Sequence, residues 1–170
     1  MSFADLSVAR YSLRKFSAQP VEAEKLDAIL AAARVAPTAH NDQPQRIFVF
    51  QSPEALEAAR ACTPCHFNAP VLLAVGYEAD SAWVRENDNK NYGEYDTATV
   101  AAHIALQAAD LGLGTTLVAM FDHEQLKAAF PQMGSATITI LIPLGYPRED
   151  AKPSRLHADR KPMEELVKYL

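Results

Sequence analysis

The sequence predicts a layered sandwich of the α/β or α+β class. Three observations predict it. Segments with helical periodicity alternate with short apolar runs along the whole chain. The apolar runs are rich in β-branched residues and bounded by proline, glycine or polar residues, as strands are. No internal repeat, low-complexity tract or linker interrupts the alternation, so the 170 residues are expected to form one domain.

Taken in order, residues near 2–10 read as a helix. Pro20 suits the first turn of a longer one, in which Leu26, Ile29, Leu30 and Ala33 share a face. Pro37 ends it, and the polar loop TAHNDQPQ leads into a short strand at Ile47–Phe50. Ser52, followed by Pro53 and Glu54, is an N-cap for a helix to about Ala61. Val71–Tyr77 reads as a buried strand, and Ser81–Tyr95 is polar, aromatic and without clear period. An alanine-rich helix follows over Asp96–Leu111, with Val100, Ile104, Leu106 and Ala108 toward the core, and Gly112 and Gly114 stop it. TTLVAMF reads as a strand, Asp122 as the cap of a short helix ending near Phe130, and TITILIPLGYP as the strongest strand in the chain. KPMEELVKYL reads as a last helix starting near Pro162.

With 49% hydrophobic and 22% charged residues, the chain can bury a core without metals or disulfides. A net charge of -5 and a pI near 5.5 argue against nucleic acid or an anionic membrane as the main partner. No signal-peptide pattern opens the sequence, and no stretch approaches the ~18 apolar residues of a membrane span, so a cytoplasmic protein with reduced thiols is expected. The basic residues gather at the two ends, as Arg10, Arg14 and Lys15 and as Arg155, Arg160 and Lys161.

Several short strings could carry chemistry. CTPCHFNAP holds the only two cysteines, Cys62 and Cys65, followed by His66, which is the C-x-x-C-H pattern of covalent haem attachment. Haem attachment of that kind belongs outside the cytoplasm, and zinc would need two further ligands that no second C-x-x-C or H-x-x-x-H supplies, so no metal site is expected. In RYSLRKF, Arg10 and Arg14 would face one another if the first helix continued, and with Ser12 they offer donors suited to a phosphate; a solvated basic turn is the alternative. APTAHNDQPQ crowds Thr38, His40, Asn41 and Gln43 between prolines, which suits an ordinary loop or a ligand contact equally. DLGLGTT follows a helix and lacks the full G-x-G-x-x-G, so it reads as a helix C-cap and not as a dinucleotide loop. His103 reads as a packed or partly exposed residue of the long helix, and no Walker A, serine elbow or H-E-x-x-H is present.

In their order these strings go further. R-x-S-x-R-K-F, then A-P-T-x-x-N-x-Q-P about 25 residues on, then a long helix ending in L-G-L-G, a strand ending in L-G-Y-P, and R-K-P-x-E-E-L-V together resemble the nitroreductase family of flavoproteins over essentially the whole chain. The resemblance implies a three-layer α/β/α sandwich of the α+β class, its central sheet mixed but mostly antiparallel, and a homodimer with FMN at the subunit interface. It implies that Arg10, Tyr11, Ser12 and Arg14 form the first FMN-binding motif, with Arg14 near the N1–O2 edge of the flavin. Pro37, Thr38 and Ala39 would pack along the isoalloxazine from the partner chain, together with the amides of Asn41 and Gln43. Backbone N–H groups around Leu117, Ala119 and Met120 would face the N5–O4 edge, and Arg160 and Lys161 would meet the phosphate.

The activity implied is ping-pong hydride transfer from NADH or NADPH through flavin N5 to nitroaromatics, quinones or similar small acceptors, with no catalytic side chain required and His40 at the substrate side. A flavin-binding protein with little NAD(P)H turnover, such as a sensor or flavin-processing relative, is the alternative. The chain departs from the family at Gln45, where an aromatic residue is common, and at Ala119 and Met120, where glycines are. The Trp83–Tyr95 region is expected to replace the helical excursion that covers the site in longer members.

Overall fold

Two apolar clusters, one on each face of a sheet, organise the computed structural model, which describes residues 1–170. The sheet has the order β1-β2-β6-β5. Its strands are β1 (Gln45–Phe50), β2 (Val71–Tyr77), β5 (Gly114–Thr115) and β6 (Thr137–Gly145), and β3 (Val84–Arg85) and β4 (Lys90–Asn91) form a separate hairpin. All neighbours in the sheet pair antiparallel, and a parallel bridge from Ser12 to Thr115 adds the one mixed element.

Alternation along β2 shows how the layers arise. Val71, Leu73 and Val75 meet α2 (Ala23–Arg34) and α4 (Gly93–Asp110) on one face. Leu72 and Ala74 meet α3 (Pro53–Ala61) and α5 (His123–Ala129) on the other. The α/β/α sandwich is therefore as expected. On β6 the alternation breaks once: Ile138 belongs to the second cluster but Ile140 to the first. The register with β2 slips there, Val75 pairing Ile140 and Gly76 pairing Ile138, so Thr139 is an inserted residue that turns the strand over.

Local signals set the helices. Ser2 and Asp5 close a capping box on α1 (Phe3–Ala9), Ser52 caps α3 and Asp122 caps α5. Leu113 N–H bonds Ala108 O at 2.8 Å and Gly112 N–H bonds Ala109 O at 3.1 Å, with Gly112 at φ +76°, so the L-G-L-G string closes α4 as a Schellman cap.

Three expectations change. The second helix begins at Ala23 and not at Pro20, because Glu22 is still extended and turns its carboxylate to the Tyr146 hydroxyl, 2.7 and 2.9 Å away, in place of capping. TTLVAMF is not a continuous strand. Gly114 and Thr115 pair with Gly145 and Leu144, and Val118 pairs with Leu141 in the same register. Leu141 N–H donates to Val118 O, but two residues on Pro143 has no N–H, so one of the two bonds of the rung facing Thr116 cannot form. Last, KPMEELVKYL yields only α6 (Met163–Leu166), four exposed residues with nothing to pack on. No helix is long and apolar enough to cross a membrane.

Candidate functional site

The first helix stops at Ala9, and Arg10 is already extended, with φ -62° and ψ 127°. Arg10 and Arg14 therefore do not share a helix face. The chain from Tyr11 to Ser17 lies between two elements as an added strand. Leu13 N–H donates to Thr115 O at 2.9 Å, Ser17 N–H to Tyr146 O at 2.9 Å, and Arg148 N–H to Lys15 O at 3.0 Å. Lys15 also pairs with Asp150 at 2.8 Å, whose carboxyl Arg148 first and Lys15 second hold well below the usual carboxylate range. Leu13, 1% exposed, points inward. The period of two puts Arg10, Ser12 and Arg14 together on the other side.

There they line a cavity of about 200 Å3 with Tyr11, Ser154, Leu156, His157 and Arg160. No carboxylate lines it. Arg46, Arg85 and Arg148 each pair with an acid, Glu78, Asp88 and Asp150 respectively. The guanidinium groups of Arg10 and Arg14 have no hydrogen bond or ion pair, which leaves their donors free for an anion. Arg160 Nη1 bonds Leu156 O at 3.3 Å and Asp159 O at 2.7 Å. Lys161 is not part of the lining; its Nζ lies 3.4 Å from Glu165. Ser154 and His157 were not picked out from the sequence. Ser154 accepts from Leu156 N–H within the C-terminal segment, and His157 Nε2, 3.0 Å from Val8 O, ties that segment to the first helix. The Ser-x-Leu-His spacing just before Arg160 was the available signal.

The loop from Pro37 to Gln43 lines none of this cavity. It is a tight polar turn in which His40, Asn41 and Gln43 have φ of 53°, 59° and 51°. Left-handed backbone at non-glycine residues is strained, so the surroundings must impose it. Gln43 N–H bonds Thr38 Oγ1 at 3.1 Å, Gln43 Nε2 bonds Asn41 O at 3.2 Å, and Ala39 N–H bonds Asp96 Oδ1 at 2.9 Å. Asp96, read from sequence only as a helix start, is 4% exposed, and its Oδ2 is buried without a partner. It sits in the first turn of α4, where the helix dipole favours a negative charge. Replacing Asp96 by alanine is expected to free the loop and to cost about 1–3 kcal/mol, the penalty for unpairing a buried group. Amide exchange at Ala39 should accelerate at least tenfold; unchanged protection would show that the loop is held by its own bonds.

His40 stacks on Trp83 with ring centroids 5.2 Å apart. Trp83 meets Tyr92, and Tyr92 meets Tyr95, each at 4.9 Å. The unassigned Ser81–Tyr95 stretch is thus the β3–β4 hairpin with an aromatic ladder that ends on the polar loop. Across the molecule, Leu117, Ala119 and Met120 are exposed, while Val118 is buried against β6.

Comparison with known proteins follows this geometry. The sequence profile of the Nitroreductase family matches residues 8–66 and 58–146. A nitroreductase family protein of Clostridium difficile 630 is 33% identical and superposes with a TM-score of 0.91, over 99% of this chain and 98% of its own. A protein of Thermus thermophilus named NADH dehydrogenase is 27% identical over 95% of this chain and 92% of its own length. A protein of Exiguobacterium sibiricum, solved in complex with FMN, shares the fold at 17% identity, with a TM-score of 0.86.

Proposed function

Because the chain belongs to the nitroreductase family of oxidoreductases, we propose that it is an FMN-dependent enzyme passing hydride from NADH or NADPH to nitroaromatics, quinones or similar electron-poor acceptors in a ping-pong cycle. The observation that carries this reading is the cavity in which three arginines converge with no acid among them, on a protein of net charge -5. Unpaired guanidinium forks beside a serine hydroxyl fit a phosphate monoester, the terminal group of FMN.

FMN, when bound, supplies the two-electron chemistry. The chain's residues bind and orient. Arg10, Ser12 and Arg160 would hold the phosphate end. Lys161 would join them by leaving Glu165, an exposed pair that contributes little. Arg14 would place fixed positive charge at the ring edge where negative charge develops on reduction. Leu117, Ala119 and Met120 would present backbone N–H groups to the opposite edge. The Pro37–Gln43 loop would be lent by a second copy, with His40 and Trp83 forming the wall that a planar acceptor meets.

A homodimer is part of the proposal because the arginine cavity and the Pro37–Gln43 loop do not share a lining. An open apolar groove of about 500 Å3 among Met1, Phe3, Leu6, Ala32, Ala102 and Leu106 supports it, as do exposed Met163, Leu166, Tyr169 and Leu170 in the tail. A cytoplasmic setting, where NAD(P)H is at hand, completes it. The test is the visible spectrum of the purified protein together with its sedimentation. Flavin bands bleached without oxygen by NADH or NADPH, in a species of twice 18.6 kDa, are expected. A colourless protein that FMN cannot reconstitute would sink the reading, and bound flavin that neither nicotinamide bleaches would point to a binding protein instead.

A further inference from the structure

In the C-T-P-C turn it is the threonine side chain that reaches across to the Met120 backbone. Cys62 is buried, its Sγ donates to Ala58 O at 3.3 Å, and burial pushes the thiol up, with Asp122 adding to the effect. Thr63, 3% exposed, donates its hydroxyl to Met120 O at 2.6 Å and accepts Cys65 N–H at 3.0 Å. One residue back, Cys62 O accepts Asp122 N–H at 2.8 Å. The turn therefore grips the chain on both sides of Phe121.

The other end of that stretch is fixed as well. Val118 and Leu141 exchange two backbone bonds, 2.8 and 2.9 Å. Between these anchors Ala119, Met120 and Phe121 form a short arch whose three N–H groups bond no acceptor in the chain. The Thr63 bond sets the direction of the Met120 carbonyl. Peptide planarity then sets the Phe121 N–H opposite to it, and the shortness of the arch constrains the two N–H groups before it.

We propose that Thr63 is a positioning residue that aims the N–H groups of the Ala119–Phe121 arch at the O4 carbonyl on the N5–O4 edge of the bound flavin. This rests on the reading above, in which the Leu117–Met120 stretch faces the N5–O4 edge. Donors held in advance on O4, where electron density rises on reduction, stabilise the reduced form more than donors that must reorient, so the arch favours reduced over oxidised flavin. Without the Thr63 hydroxyl the Met120 peptide is free to swing, and that preference falls.

The test compares Thr63→Val and Thr63→Ser in the FMN-loaded protein, reading the midpoint potential of the bound flavin and the affinity for oxidised FMN. Valine keeps the shape and removes the donor; serine keeps the donor. Thr63→Val is expected to lose up to about tenfold of the preference for reduced flavin, a fall of about 30 mV for a two-electron couple, with the affinity for oxidised FMN within about twofold of the parent. Thr63→Ser should restore the parent potential. An unchanged potential in a folded Thr63→Val protein overturns the proposal. If the valine variant does not fold, a shifted potential in Thr63→Ser overturns it, since that variant retains the bond, and a parent-like one supports it. Failure of the parent protein to take up FMN is a different result, which removes the flavin reading itself and this proposal with it.

Discussion

Replacing Arg10 by alanine is expected to weaken FMN binding about 10- to 100-fold and to leave thermal unfolding of the FMN-free protein unchanged. The magnitude follows from one charged hydrogen bond to phosphate, about 1.5–3 kcal/mol, at about 1.4 kcal/mol per factor of ten. The lack of an effect on stability follows from the structure. Arg10 closes α1 through its backbone N–H to Leu6 O, which alanine retains, while its guanidinium has no partner in the chain. Removing it also takes a positive charge from a site that holds two more, Arg14 and Arg160, so the free protein should tolerate the loss. The affinity of the parent should fall with added salt more steeply than that of the variant, because a mobile ion atmosphere screens each arginine–phosphate attraction. Fluorescence titration with FMN reads both effects. Equal affinities for parent and variant would remove Arg10 from the phosphate site and leave Ser12, Arg160 and Lys161 to account for it.

The second large effect concerns the fold. Gly76→Ala is expected to destabilise the protein by about 3 kcal/mol or more, as severe overpacking does. For a chain of this size that lowers the melting temperature by roughly 6–12 °C. A Cβ at Gly76 would lie 2.1 Å from Thr137 O and 2.8 Å from Ile138 Cα. Both are backbone atoms, so no side chain can turn aside to make room. The contact exists because the register slip at Thr139 draws β6 toward β2 at this point. To admit a methyl group the strands must separate where Ile138 and Ile140 exchange faces, and both apolar clusters would feel it. A calorimetric melt within 2 °C of the parent would show that the slip can relax, and that its geometry is softer than the close contact implies.

What the sequence revealed, and what it hid, divides by distance along the chain. Helices α3 and α5 were legible almost to the residue because Ser52 with Pro53, and Asp122, are caps acting within one turn. Strand β2 was legible because both of its faces are buried and every residue in it is small or apolar. The broken edge at Thr116 was not legible, since its cause is Pro143, far along the chain. Nor was the inversion at Thr139, which only the partner strand reveals. The site divides the same way. Arg10, Ser12, Arg14 and Arg160 were recognised as a set, and the structure brings them to one cavity. Their shared face came from an extended backbone, however, and not from the helical spacing that the sequence allowed. Asp96 and Thr63 escaped notice because each acts on a residue 57 positions away. An acid near the start of a helix and a threonine in a turn are ordinary in sequence, and only folding shows which backbone group each one meets.

The interrupted pairing of β5 with β6 has a consequence for how copies of the chain behave in a crowded solution. A sheet that ends in a long, straight strand offers an unbroken row of amides and carbonyls, which other chains can extend. Here the row is two residues long before Pro143 withdraws a donor, and Ser12 and Leu13 cover it at Thr115. Beyond the gap the chain joins the sheet again only at Val118. This border of the sheet is therefore too short and too uneven to template strand addition. The proline that breaks the rung at Thr116 also guards this margin of the sheet against aggregation.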